Sequence, residues 1–144
     1  MSNMLKISEA ASLALHSTVL LAANPDELIS TREIAAMLHV SEAHLSKVLQ
    51  RLTRAGIVRA IRGPRGGFRL VKPANETTLL DVYESIEGTL TPSKCLFESP
   101  ICEGDACILG GLLETVDRQV RDYLVKTKLD DLTSIYRSVK SANA

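Results

Sequence analysis

All cysteines of the chain fall in one short stretch. Cys95, Cys102 and Cys107 lie within thirteen residues, with six residues between the first pair and four between the second. Thiolates favour zinc, copper(I) and iron–sulfur clusters, and Pro100 and Gly104 would let the loop wrap round one centre. The spacing differs from the C-x₂-C pair that is typical of structural zinc sites. Three thiols leave a four-ligand site one ligand short, and ordinary cysteines or a redox-switched disulfide remain alternatives.

A second group suited to chemistry is a run of cations in the middle of the chain. Eight Lys and Arg residues lie between Lys47 and Lys72, with no Asp or Glu among them. Such side chains can bind nucleic-acid phosphates, although many charge runs are only solvated surface. The predicted local fold of this stretch favours phosphate binding over a merely solvated surface.

The stretch from Val40 to Val71 has the pattern of a helix followed by a β-hairpin. Ser41 can cap a helix with one apolar stripe, and Gly56 stands where helices commonly end. Two β-type runs, 57–61 and 68–71, flank a glycine-rich tip. A helix followed by a basic hairpin predicts a winged helix-turn-helix that binds DNA.

Exposed positions of this helix and this wing are the ones expected to meet DNA. The helix positions should approach base edges, and the wing arginines should approach phosphates. The predicted contacts are Ser41, Glu42, His44, Ser46, Lys47, Gln50, Arg51, Arg62, Arg65 and Arg69.

Helices are also predicted on both sides of this module. An apolar run from Leu5 to Ala23 predicts a buried first helix, and Ser30–Glu33 is a capping box that opens a second. After a loop over Pro73–Thr77, residues 79–87 should form a short helix that Gly88 closes. The predicted fold class is mainly α with a small β-hairpin wing.

A long amphipathic helix is predicted from Ile108 to about Thr127, with its apolar residues spaced as in a heptad repeat. Its apolar face needs a partner, and a symmetric dimer is favoured over packing on its own domain, because operators are commonly palindromic. A last short helix over Leu129–Val139 should turn Ile135 and Tyr136 inward. The heptad positions are Leu109, Leu113, Val116, Val120 and Tyr123.

These elements predict a DNA-binding domain over residues 1–88, a cysteine-rich loop over 89–107, and a dimerisation helix with a tail over 108–144. Residues 1–72 carry 10 Lys and Arg against 5 Asp and Glu, and residues 73–144 carry 7 against 12, so the basic half should face DNA. No apolar run could span a membrane and no secretory signal is present, so we expect a cytoplasmic protein. No phosphate loop, dinucleotide fingerprint or nucleophile–base pair is found, so neither an enzyme nor a small-molecule substrate is expected.

From about Lys6 to Thr127 the chain resembles a family of winged-helix repressors. The family includes the iron–sulfur cluster regulator IscR, the nitric-oxide sensor NsrR, the redox sensor RsrR and the cysteine-metabolism regulator CymR. The most specific similarity is the wing, Arg59-Ala-Ile-Arg-Gly-Pro-Arg-Gly-Gly-Phe-Arg-Leu70, which looks like the family's V-x-S-x-R-G-x-x-G-G-[YF]-x-L signature. The resemblance implies dimers paired through a long C-terminal helix.

The same resemblance implies a cluster in the cysteine loop, because cluster-binding members carry three cysteines just before that helix. The histidine that follows the last cysteine in IscR is Gly110 here, and the acidic ligand of NsrR and RsrR is Ser12. A histidine ligand that RsrR takes from the partner subunit aligns with His16. A histidine on an apolar helix can also be an ordinary core residue.

We therefore expect a homodimeric repressor that binds double-stranded DNA and takes no small-molecule substrate. The implied cofactor is a 2Fe-2S or 4Fe-4S cluster held by Cys95, Cys102, Cys107 and His16 of a second subunit, sensing iron–sulfur, redox or nitric-oxide status. One alternative is a regulator of the same fold that acts by thiol oxidation or through a partner protein. A more distant alternative is an iron–sulfur scaffold or a redox enzyme.

Overall fold

The computed structural model describes residues 7–91, 95–97, 99, 101–102 and 107–136, and their regular structure is mainly helical with one antiparallel hairpin. This confirms the predicted fold class. The helices are α1 (Glu9–Ala23), α2 (Thr31–Leu38), α3 (Glu42–Arg54), α4 (Leu79–Glu87) and α5 (Leu112–Lys126); the strands are β1 (Val58–Ile61) and β2 (Gly67–Leu70); and 3₁₀ segments cover Ala74–Glu76 and Leu129–Tyr136.

The first helix is the centre of the core. Its buried residues include Leu13, Val19, Leu20 and Leu21, which confirms the predicted buried helix. It begins at Glu9, whereas the apolar run predicted an earlier start at a position outside the described residues. The reason is Ser8, whose hydroxyl accepts a hydrogen bond from the Ala11 N–H and so caps the helix.

The next two helices begin at the predicted caps. Ser30 and Glu33 form the capping box of α2, and the Ser41 hydroxyl accepts from the His44 N–H at 3.2 Å to cap α3. His39 makes the tight turn between the helices in the left-handed conformation, with φ 56°. After α3, Gly56 adopts φ +77° and ends the helix as predicted.

Two glycines allow the wing to pack closely. A Cβ on Gly66 would lie 2.1 Å from the Ile61 carbonyl oxygen, and one on Gly67 would lie 2.7–2.8 Å from the backbone of Ile29. Ile29 pairs with Phe68 through an isolated β-bridge, so the hairpin is attached to the segment before α2. Compared with the predicted runs 57–61 and 68–71, β1 starts one residue later and ends as predicted, and β2 both starts and ends one residue earlier.

Three predictions for the half of the chain after the wing are corrected by the structure. α5 begins at Leu112 rather than Ile108, because residues 108–111 form a turn in which Gly110 has φ +60°, and Leu109 therefore lies outside the helix. The predicted loop at 73–77 contains a short 3₁₀ turn. Ile135 is 57% exposed, whereas Tyr136 is buried as predicted. Adjacent residues of a 3₁₀ helix point about 120° apart, so both cannot face the core.

The segment after α5 returns to the N-terminal core. The Leu79 N–H donates to the Thr127 carbonyl, and the Leu129 N–H donates to the Thr77 carbonyl. Leu124, Leu129 and Tyr136 then join the same buried cluster as α1. The predicted end at Val139 lies outside the described residues. No helix in the described ranges is both long and apolar enough to cross a membrane.

Candidate nucleic-acid interface and cysteine loop

The core contacts of α3 define which of its residues face outward. Leu45, Val48, Leu49 and Leu52 are buried, so the opposite row is spaced by four, three and four residues along the helix. All four residues of this outward row are exposed. They are Ala43, Lys47, Gln50 and Arg54.

Only Lys47 and Gln50 of the outward row were among the predicted contacts. Arg54 was missed because the prediction favoured the start of the helix, and Ala43 was missed because the predicted contacts were all polar side chains. The signal that could have found them is the phase of the apolar stripe, since residues opposite a buried stripe face away from the core. Glu42 is exposed in the first turn beside this row, Ser46 is half-buried, and Ser41 is engaged as the cap.

Two predicted contacts lie on the flank of α3 that faces other helices. The Arg51 guanidinium donates a hydrogen bond of 2.5 Å to the Ile86 carbonyl at the end of α4. His44 Nδ1 lies 3.6 Å from a carboxylate oxygen of Glu9 at the start of α1. The structure therefore gives Arg51 an intramolecular partner, and places His44 at the edge of the outward row.

The wing arginines occupy two places. Arg62 and Arg65 are exposed in the tip between the strands, whereas Arg69 lies on β2 directly opposite Arg59 on β1. In the described part of the chain, no carboxylate forms an ion pair with any of the eight cations from Lys47 to Lys72. Apart from Arg51, these side chains are available to phosphates.

The cysteines are not brought together within the described residues. Cys102 is exposed, Cys95 and Cys107 are half-buried, and no disulfide joins them. The Phe97 N–H donates to Cys95 Sγ at 3.4 Å. The described ranges contain no group of three or more His, Cys, Asp or Glu side chains placed to hold a metal ion. Pro100 and Gly104, which were expected to shape the loop, lie outside those ranges.

His16 lies at the other end of α4 from the cysteine loop. It shares an apolar cavity with Leu79, the first residue of α4, whereas the loop follows Glu87 at the end of that helix. α4, which has nine residues, is itself roughly 12 Å long. His16 Nδ1 donates to the Ser12 carbonyl at 2.6 Å, so Nε2 is the nitrogen left for another partner.

The end of α4 connects the cysteine loop to the DNA-facing helix. Leu90, just before the loop, donates its N–H to Glu84 at 2.7 Å and accepts from Arg121 of α5 at 3.2 Å. Arg51 binds the same end of α4 from α3, and the Ser8 hydroxyl donates to Glu87. We call this set of contacts the α4 junction.

An apolar groove runs between α1, α4 and α5. Its volume is about 430 Å³, and its lining includes Leu15, Val116, Val120 and Tyr123. Tyr123 is 58% exposed and Val116 is 38% exposed. Part of the predicted heptad face is therefore open to solvent in a single chain.

Comparison with known proteins identifies a family of transcriptional regulators. The model of the family described as "Rrf2: Iron-dependent Transcriptional regulator" matches residues 7–135. The structure of CymR, the global cysteine regulator of B. subtilis, is 28% identical, with a TM-score of 0.78 over 92% of this chain and 98% of that chain. Protein aau3 of Rhizobium meliloti is 34% identical over 89% of this chain and 84% of its own length. The HTH-type transcriptional regulator IscR of Cereibacter sphaeroides is 34% identical over 56% of this chain and 52% of its own length.

Proposed function

This chain belongs to the Rrf2 family of transcriptional regulators, and from that premise we propose that it is a homodimeric repressor that senses iron–sulfur, redox or nitric-oxide status through its cysteine loop. As a DNA-binding regulator of this family it is not an enzyme, which removes the redox-enzyme alternative. The observation that carries the proposal is the α4 junction, because it joins the cysteine loop to the helix that faces DNA.

In the proposed complex the outward row of α3 enters the major groove. Lys47 and Gln50 can reach base edges, and the Ser41, Glu42, His44 and Ser46 positions lie at or beside the end of the helix that enters first. Arg54 at the other end of the row, together with the wing residues Arg62, Arg65 and Arg69, binds phosphates. We assign Arg51 a positioning role, because its guanidinium is bound to Ile86.

Two such modules form the proposed dimer through the open apolar face of α5. Val116 and Tyr123 are exposed there, and Leu15 of α1 extends the same groove. Burying this surface against a second subunit would contribute roughly 25 cal/mol for each Å² removed from water. A two-fold pair would then bind a palindromic operator.

The donor chemistry of the cysteine loop fits an iron–sulfur cluster. Cys95, Cys102 and Cys107 offer three thiols outside any disulfide, and His16 offers Nε2. Because His16 and the start of the loop lie at opposite ends of α4, we assign His16 to the site as a residue of the second subunit. A bound cluster would supply sensitivity to oxidants and nitric oxide.

Ordering of the cysteine loop would change DNA binding through the contacts of the α4 junction. The loop begins at Leu90, which is hydrogen-bonded to Glu84 on α4 and to Arg121 on α5. A shift of the end of α4 would move Arg51 and with it α3. A coupling of about 1–3 kcal/mol is enough for a several-fold to hundred-fold change in operator affinity.

The test is to purify the protein without oxygen and to measure its visible spectrum with iron, sulfide and zinc per chain. Bands between roughly 320 and 460 nm with equal iron and sulfide are expected, and the Cys102→Ala variant should lose them while it keeps its oligomeric state. A gel shift with the promoter of its own operon tests DNA binding separately. A colourless protein, or a variant with full iron, would refute the cluster assignment.

A second candidate is a thiol switch without a cluster. It is favoured by the lack of a metal-binding group among the described residues and by the similarity to CymR, named as a cysteine regulator. Under this proposal a peroxide oxidant takes two electrons and two protons from two of the three thiols, which form a disulfide while the peroxide is reduced to water. Mass spectrometry after differential alkylation would detect that disulfide, and operator affinity should change with it.

A further inference from the structure

We propose that Arg59, Arg69 and Lys72 form a phosphate-binding cleft at the base of the wing, distinct from the arginines of its tip. Arg59 and Lys72 belong to the cation run from Lys47 to Lys72, but the ten contacts predicted from the sequence do not include them. That the cleft binds DNA rests on the proposed DNA-binding function. That the cleft binds a phosphate group does not.

The register of the hairpin places two arginines directly opposite each other. Arg59 of β1 pairs with Arg69 of β2 across the antiparallel strands, and both are exposed. Like charges at directly opposed positions destabilise a hairpin. An anion between the two guanidinium groups would replace this repulsion with two charge-assisted hydrogen bonds.

A cleft is present beside this pair. It has a volume of about 360 Å³, Lys72 supplies a third cation, and no acidic residue lines it. Within the described ranges, none of the three cations has a hydrogen bond or an ion pair of its side chain. The last turn of α1, at Leu21, also lines the cleft, but a helix C-terminus offers only about half a negative charge.

The position of the cleft suits a DNA backbone. Arg59 is three residues before the tip arginine Arg62, which corresponds to about 10 Å along an extended strand. Tip and base can therefore bind different phosphates of one DNA molecule. The same chemistry would also bind free inorganic phosphate, and the experiment must distinguish the two sources.

The experiment compares the full-length protein with Arg59→Gln, Arg69→Gln, the charge-conserving Arg59→Lys, and Lys128→Gln as a cation removed far from the wing. Thermal unfolding is measured with sodium phosphate and with sodium chloride at equal ionic strength. The affinity for DNA of the promoter of its own operon is measured from 50 to 200 mM salt. Without phosphate, each Gln variant should melt at a higher temperature than the wild type, because the repulsion is relieved.

Each Gln variant should also lose the extra stabilisation by phosphate. The slope of its logarithmic affinity against logarithmic salt concentration should be smaller by about 0.9, so that the affinity it loses between 50 and 200 mM salt is about 3.5-fold less than the wild type loses. Arg59→Lys and Lys128→Gln should keep both. A change in the salt slope alone supports a cleft that binds the phosphates of DNA. A change in phosphate stabilisation alone supports a cleft that binds free inorganic phosphate. Gln variants that match the wild type in both measurements would overturn the cleft. A wild type that binds no DNA would instead contradict the DNA-binding function, and the phosphate measurement would still decide the cleft.

Discussion

Replacing Arg51 with methionine separates a positioning role from a phosphate contact. The guanidinium of Arg51 donates to the Ile86 carbonyl, so the variant should lose stability and operator affinity while its affinity keeps the same dependence on salt. Methionine preserves much of the apolar stem of arginine. The matched variant is Arg54→Met, one turn later on the outward row, which has no such partner within the described ranges.

The expected loss follows from the kind of bond that Arg51 makes. A hydrogen bond to a charged donor contributes about 1.5–3 kcal/mol, and a cation at a helix C-terminus adds roughly 0.3–1 kcal/mol. Because Arg51 itself is exposed, solvent screening reduces both contributions. We expect the free energy of unfolding to fall by about 1–2 kcal/mol for Arg51→Met and by less than about 0.5 kcal/mol for Arg54→Met.

Two measurements check this prediction. Urea unfolding at one fixed protein concentration gives the stability difference, since unfolding of a dimer depends on concentration. Operator titrations from 50 to 200 mM salt give the slope, which should fall by about 0.9 for Arg54→Met and stay unchanged for Arg51→Met. If Arg51→Met kept its stability and lost the slope, its guanidinium would be a phosphate contact and the positioning role would be wrong.

Three further predictions concern other parts of the molecule. Glu84→Gln should weaken the bond to the Leu90 N–H and so reduce the difference in operator affinity between oxidised and reduced protein, measured by titration; an unchanged difference would exclude Glu84 from the coupling. Val116→Glu places a charge on the open face of α5 and should give monomers by analytical ultracentrifugation, whereas a dimer of unchanged affinity would rule out this face. Burial raises the pKa of Tyr136 above its ordinary value of 10.0, so its contribution to stability is fully present below pH 10 and is lost as the pH rises through the raised value. In alkaline unfolding curves the stability of Tyr136→Phe should therefore fall less than that of the wild type, and an equal fall would contradict this cause.

The starts of α2, α3 and α4 were predictable because caps are local. Ser41 and Thr78 each lie three residues before a backbone N–H that their own side chain binds, so the signal lies within four residues of sequence. The start of α5 was not predictable in this way. The apolar spacing continues through Leu109, but the left-handed turn at Gly110 excludes that residue from the helix, and spacing alone does not report backbone conformation.

The contacts that matter most for the candidate site join residues far apart in the sequence. Arg51 was predicted to contact DNA because it is a cation on an exposed helix, and in the structure its guanidinium donates to the Ile86 carbonyl, 35 residues away on α4. Leu90 is joined to Arg121 across 31 residues. Neither pairing leaves a periodic pattern, because it depends on how α3, α4 and α5 pack. Composition therefore indicates that cations are present, while packing decides which of them are free.

The chemistry of a helix end explains why these elements meet at α4. The last carbonyls of a helix have no donors of their own in the helix, and α4 has no basic residue in its last turn. Arg51 supplies the missing cation from α3, and it therefore binds where the negative end of the helix attracts it. Glu84 and Glu87 in the same two turns accept hydrogen bonds from Leu90 and Ser8. A displacement of Leu90 by the cysteine loop would therefore act, through Glu84, on the same end of α4 whose Ile86 carbonyl binds Arg51 of α3.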